Sequence, residues 1–136
     1  MGTTFAEVTM TNMLDEGYVR DGYIKPDDVR SVTVRALVDT GAMSLIIPEE
    51  LRLKLGLRII GDSVTKIADG RHVNCKVTEG VKFCWKNREW ILSAVVIPGA
   101  EDVLLGAIPL EALDVMVNPV TQELVGIHGE KALYRA

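Results

Sequence analysis

The sequence has no excess of positive charge, no long apolar run and very little cysteine or histidine, and each shortage removes a class of function. Its formal net charge is -4 over 136 residues, with a pI near 5.2 and both signs scattered along the chain. That balance argues against a sequence-independent grip on nucleic-acid phosphates. No apolar stretch approaches the roughly 20 residues that span a bilayer, and MGTTFAEVTM has neither a basic leader nor an apolar signal core. A soluble, cytoplasmic protein without membrane or nucleic-acid partners is therefore expected. Gly2 follows Met1, but Ala6 stands where a myristoylation signal wants Ser or Thr.

The two cysteines, Cys75 and Cys84, match no zinc spacing and no CxxC pair, and two are too few for a disulfide scaffold. They are expected to be free thiols. His72 and His128 are far apart and have no Cys or Asp at ligand spacing, so neither a metal nor another cofactor is expected. No GxSxG elbow and no phosphate-cradling glycine loop occurs, which leaves serine hydrolysis and nucleotide chemistry without support.

What the chain does have is 48% hydrophobic residues in a length suited to one core; a single domain over residues 1–136 is expected. β-branched and apolar residues alternate over five to eight positions between turn signals, the pattern of short strands. The class is mainly β. FAEVTMTN opens as a strand, LDEGYVRDGYIKPDDV reads as a loop or loose hairpin, and SVTVRALVD is a strand running into Thr40 and Gly41. PEELRLKLGL reads as a short surface helix, with Pro48 at its first turn and Gly56 stopping it. SVTKIADGRHVNCKV is a hairpin whose Asp69-Gly70 pair suits a tight two-residue turn. VKFCW and WILSAVVI form a second hairpin about KNRE. After PGAED come VLLG, a helical IPLEAL, a strand VMVNP and final strands in ELVGIHG and ALYR.

One acid stands out: Asp39 ends an apolar strand, is followed by Thr40, Gly41 and Ala42, and precedes the apolar SLIIP. Alone, DTGA also reads as a strand-to-turn corner in which Asp accepts backbone N–H bonds. However, ALVDTGAMSLIIP resembles the active-site loop of retropepsin-like aspartic proteases. A second stretch, DVLLGAIPLEALDVMVNPVTQEL, is similar to that family's later hallmark, carried by Leu104, Leu105 and Gly106. The ADG hairpin falls between them, where the family has its flap. The resemblance covers about residues 32 to 124 and is nearest to the small bacterial single-domain members, in which an xxLxxP run and a helix ending in LGL follow the aspartate motif.

The resemblance implies an acid-protease barrel with one or two short helices, active as a symmetric homodimer on peptide or protein substrates. Asp39, Thr40 and Gly41 would be the catalytic loop. Ala42 would lie under the substrate main chain, and Ile67, Ala68, Asp69 and Gly70 would form the flap, within a hairpin of about residues 62–80. One DTG per chain supplies one carboxylate where this mechanism needs two sharing a water, so a second copy would supply the other. Gly106 and the following helix would pack beneath the loop. Retroviral members usually have an Asp just after DTGA and an Arg just after the later Gly, paired near the dimer interface. Here Met43 and Ala107 stand there, and the terminal strands become candidates for that contact. A dimeric peptide-binding module with the same fold and little turnover is the competing reading.

Overall fold

The computed structural model describes residues 3–67 and 69–129; the expected strand ALYR and the flap residue Ala68 lie outside them. Nine strands and three short α-helices follow one another: β1 (Thr4–Asn12), α1 (Met13–Arg20), β2 (Ser31–Val38), β3 (Leu45–Ile47), α2 (Glu49–Leu55), β4 (Ile59–Lys66), β5 (His72–Trp85), β6 (Arg88–Val96), β7 (Leu104–Leu105), α3 (Ala107–Ala112), β8 (Val115–Asn118) and β9 (Glu123–Gly126). A 3-10 turn at Pro26–Asp28 precedes β2.

The strands run in the order β1-β2-β7-β3-β6-β5-β4, and an additional β1–β5 pairing closes the first six into a barrel. Closure removes the open edges that would otherwise invite pairing with other chains. Alternation decides which side chains go inside. Along β1, Ala6, Val8 and Met10 are buried while Phe5 and Glu7 are exposed, the period-two signature of a strand with one face on a core. Phe83, Met10, Leu45, Ile47, Leu55, Leu57, Leu105 and Leu113 fill the interior, each with less than 2% of its surface exposed.

β5 is one continuous strand serving both expected hairpins. It pairs with β4 from His72 to Thr78 and changes to β1 from Val81 to Cys84, while β6 pairs with it from Lys76 to Trp85. The change occurs at a bulge between Val77 and Gly80, where the fully buried Thr78 accepts the Ala94 N–H at 2.9 Å through its hydroxyl and donates to the Glu79 carbonyl. A bulge bends and twists its strand, so β4 and the start of β5 project from the barrel. Val64 and Ile60 there are 60% and 66% exposed.

Two sequence expectations need correction. Residues 14–29 are not a loose hairpin: α1 occupies nearly half of the stretch, and the described residues hold three short α-helices where one or two were expected. Asn12 caps α1, its side chain accepting the Asp15 N–H at 3.0 Å, with Asp15 and Glu16 in the first turn and Arg20 in the last. The helix was hidden because its hold on the barrel is polar. Asp15 is buried and receives three hydrogen bonds from Arg30, at 2.9 to 3.0 Å, and the Asn12 amide donates to the Leu55 carbonyl at the end of α2. Second, the β4–β5 turn has three residues rather than two, since the Ile67 N–H bonds the Arg71 carbonyl and the Gly70 N–H bonds the Ile67 carbonyl. Gly70 takes φ +89, as a glycine closing a three-residue hairpin loop does. α2 is as expected, ending on Gly56 in the left-handed region at φ 66.

Candidate functional site

The barrel brings two separate loops into contact. β2 lies parallel to β7 and β7 antiparallel to β3, so the loop leaving β2 and the loop leaving β7 meet at one end of the barrel. Asp39 opens the first of them. Its N–H donates to the Leu105 carbonyl at 3.0 Å, continuing the ladder by one residue, and its carbonyl accepts from the Ala42 N–H at 3.1 Å. The chain thus turns through Thr40 and Gly41, and the Gly41 N–H donates to the Asp39 carboxylate at 2.9 Å. The carboxylate is aimed by its own loop and stays exposed.

Gly106 straps that loop from beneath. The N–H groups of Gly106, Ala107 and Ile108 donate in succession to the carbonyls of Ser44, Ala42 and Met43, at 2.9, 2.8 and 2.9 Å. A Cβ on Gly106 would stand 2.6 Å from the Met43 carbonyl carbon and 2.7 Å from both the Ala42 oxygen and the Ser44 nitrogen. The glycine serves close approach, because its φ of -85 is open to any residue. Leu105 is fully buried in the core, whereas Leu104 is half-buried and lines the cleft described next.

A cleft of about 580 Å³ runs from Asp39 and Gly41 past Ala42, Met43 and Ser44 to Thr65, Lys66 and Ile67 on the projecting hairpin. Its floor is a single row of side chains crossing four strands. Leu37 pairs with Leu104, Leu104 with Ile46, and Ile46 with Val95; all four are half-buried and line the cleft. Their strand neighbours Ala36, Leu105, Leu45, Ile47, Ala94 and Val96 point the other way into the core. The pleat therefore makes core and cleft two faces of one sheet. The far wall is the β6–β7 loop, with Ile97, Ala100, Glu101 and Asp102.

Of the site residues read from sequence, Asp39, Gly41, Ala42 and Ile67 line this cleft. Thr40 is exposed at the turn between Asp39 and Gly41. Asp69 and Gly70 sit at the tip of the hairpin, where the Asp69 carboxylate accepts from Arg71 at 2.6 Å and a Cβ on Gly70 would meet nothing within 4 Å. Sequence reasoning missed the four floor residues, Lys66 and the two acids of the far wall. The floor had one signal, apolar residues out of phase with the core positions of their own strands, but only the register shows that four strands align them.

No group of three or more His, Cys, Asp or Glu residues among those described is placed to hold a metal ion. Cys75 is buried. Burial and the neighbouring Glu89 carboxylate push the Cys84 thiol above its ordinary range, which leaves little thiolate at neutral pH. No helix among the described residues is long and apolar enough to cross a membrane.

The sequence profile of a family described as aspartyl protease matches residues 26–109, a span that includes the Asp39 loop, the projecting hairpin and the Gly106 strap. Among solved structures, the chain is similar to EIAV protease complexed with the inhibitor HBY-793, with a TM-score of 0.59 over 82% of this chain and 88% of that one. Identity to it is 18%, so that likeness speaks for the fold. No curated protein matches. With more than half of its length inside the family profile, the chain belongs to the aspartyl protease family, and its fold is that of the retropepsin-like members.

Proposed function

We propose that the chain is an aspartic endopeptidase acting as a homodimer, with Asp39 of each copy forming the catalytic pair and residues 1–136 acting as one domain. The observation that carries this reading is the setting of Asp39: an exposed carboxylate held by the Gly41 N–H at 2.9 Å, in a cleft of about 580 Å³ with an apolar floor. Each chain has one DTG. Two such loops meeting about a two-fold axis would bring two carboxylates to about 3 Å, where they cannot both ionise and hold one proton between them. That sharing is a general property of aspartic proteases. The ionised acid takes a proton from the lytic water, the protonated one gives its proton to the peptide carbonyl oxygen, and the tetrahedral diol then collapses as the amine leaves protonated.

The neighbouring residues take roles in keeping with their positions. Thr40, exposed beside Asp39, offers its hydroxyl across the axis. Gly41 and Ala42 leave room for a substrate main chain, since even a Cβ on Gly41 would come within 3.3 Å of the Asp39 carboxylate. Ile67, Ala68, Asp69 and Gly70 act as the tip of a flap that closes over the peptide, gripping its backbone as an added strand would and excluding water.

Asp39→Asn tests the reading directly. The change removes the proton-transfer group and hardly alters volume, so hydrolysis should fall by at least three orders of magnitude while melting temperature and association state stay as they were. A variant retaining a tenth or more of wild-type turnover would end the aspartic mechanism. An inhibitor mimicking the tetrahedral diol should bind wild type far more tightly than the variant.

A further inference from the structure

The cleft is not electrically neutral, and the imbalance lies on one wall. Its floor is the apolar row of Leu37, Leu104, Ile46 and Val95, which gives the cleft its shape and suits apolar substrate side chains. Glu101 and Asp102 stand on the far wall, exposed and adjacent in sequence. Across from them, Lys66 on the hairpin is the only cation lining the same cleft among the described residues. Among the described residues none of the three enters an ion pair, so their charges are available to a ligand.

The β6–β7 loop also borders a second cleft on its outer side, which Glu101 and Asp102 line as well, together with Glu49, Glu50, Arg35 and Lys54. Glu49 is tied to Arg52, and Arg35 lies over the Phe5 ring at 3.8 Å. On that side Glu50, Glu101 and Asp102 stand with two cations, Arg35, which keeps its charge over the ring, and Lys54, so their charge is largely offset. The excess of acid is greater in the cleft that holds Asp39, where Lys66 is the one cation among the described residues.

We propose that Glu101 and Asp102 are specificity-determining residues, selecting peptides that carry a lysine or arginine within a few residues of an apolar scissile pair. The inference rests on the proposed endopeptidase reading and names its substrate class. An extended chain laid over the apolar row would pass its alternate side chains to the two walls. A basic side chain reaching the far wall meets two carboxylates, whereas an acidic one meets them at a cost and finds a single lysine opposite. In a two-fold dimer the same wall occurs on both flanks of the scissile bond, so the preference should appear on either side. At a separation of about 5 Å near a wetted surface, one such contact corresponds to roughly a tenfold difference in binding and weakens with salt.

The experiment is a peptide set with a fixed apolar centre and Lys, Gln or Glu at the flanking positions, assayed for kcat/KM at low and high salt. The expected order is Lys above Gln above Glu, with roughly tenfold between the extremes at low salt and a smaller gap at high salt. Replacing both acids, as E101K with D102K, should invert the order, and Lys66→Gln should widen it. Both acids are exposed loop residues, so these variants should keep wild-type melting temperatures. Affinities of the same peptides, with the central bond reduced, are measured for Asp39→Asn in parallel. Preference in binding without any cleavage would sink the hydrolytic reading and uphold this one. Cleavage whose order survives the double charge reversal would overturn this inference and leave the endopeptidase standing; peptides neither bound nor cut would overturn both.

Discussion

Gly106 lies so close to Met43 that a Cβ on the glycine would stand 2.6 Å from the methionine carbonyl carbon. The two residues belong to loops more than sixty positions apart, and their contact is what holds the Asp39 turn against the barrel. Because φ at Gly106 is -85, alanine fits the backbone there and fails only on space. Gly106→Ala must part the two loops and lengthen the three strap hydrogen bonds. Overpacking of this kind costs about 1–3 kcal/mol, so a lowered melting temperature is expected together with a fall in kcat of at least tenfold. Wild-type kcat in a folded Gly106→Ala protein would show that the strap does not position Asp39.

The Asp15–Arg30 pair makes a separate prediction about stability. Hydrogen bonds from the Arg30 side chain hold the Asp15 carboxyl below its ordinary range, against the opposing effect of burial. A carboxyl depressed in the folded state adds stability that is present above its unfolded value near pH 3.9 and is lost as pH falls through the folded value. Arg30→Ala leaves a buried carboxylate short of donors. Arg30 is itself half exposed, so the loss should be on the order of 2 kcal/mol at pH 7, below that of a fully buried pair. Urea unfolding should find the gap between wild type and Arg30→Ala closing below about pH 4. A gap of equal size at pH 3 would mean that the charge of Asp15 does not carry it.

That pair also marks where sequence reading stops. The corner at Asp39, Thr40 and Gly41 was legible because an acid at the end of an apolar strand is anomalous, and β1 and α2 because alternation, Pro48 and Gly56 are local signals. α1 had no apolar stripe to declare it. Asn12, Asp15, Arg30 and Leu55 secure it by hydrogen bonds between elements distant in sequence, and no local pattern announces such partners. The cleft floor was illegible for a related reason: Leu37, Leu104, Ile46 and Val95 become neighbours only through the β2-β7-β3-β6 strand order. Glu101 and Asp102, read in sequence as part of the loop PGAED, acquire meaning from the wall they share with Asp39.

Gly70 separates flap function from simple hairpin stability. Its φ of +89 strains any L-residue, yet the space around it is open, so Gly70→Val suffers a conformational penalty and no clash. The hairpin projects from the barrel with both faces largely exposed, and local strain there should hardly reach the core. Turnover should fall roughly tenfold or more while the melting temperature changes by only a few degrees. Gly70→Asn, which tolerates the left-handed region, should recover much of the loss. Equal damage to stability and turnover in the valine variant would make the hairpin a structural element only.

The dimer mechanism predicts how activity responds to mixing. If each active site needs one Asp39 from each copy, specific activity should fall as the protein is diluted below its dissociation constant. Wild type co-refolded with Asp39→Asn then distributes among three kinds of dimer, and the symmetric, self-complementary interface gives neither chain a reason to prefer its own kind. Only dimers with two wild-type copies carry the full pair. Activity should therefore follow the square of the wild-type fraction once exchange is complete, with exchange verified by mass-tagged subunits under native mass spectrometry. If each chain instead acted alone, activity would follow the fraction linearly. A linear response in a fully exchanged mixture would place the second proton-transfer group inside the same chain, and the pairing of two Asp39 residues would have to be abandoned.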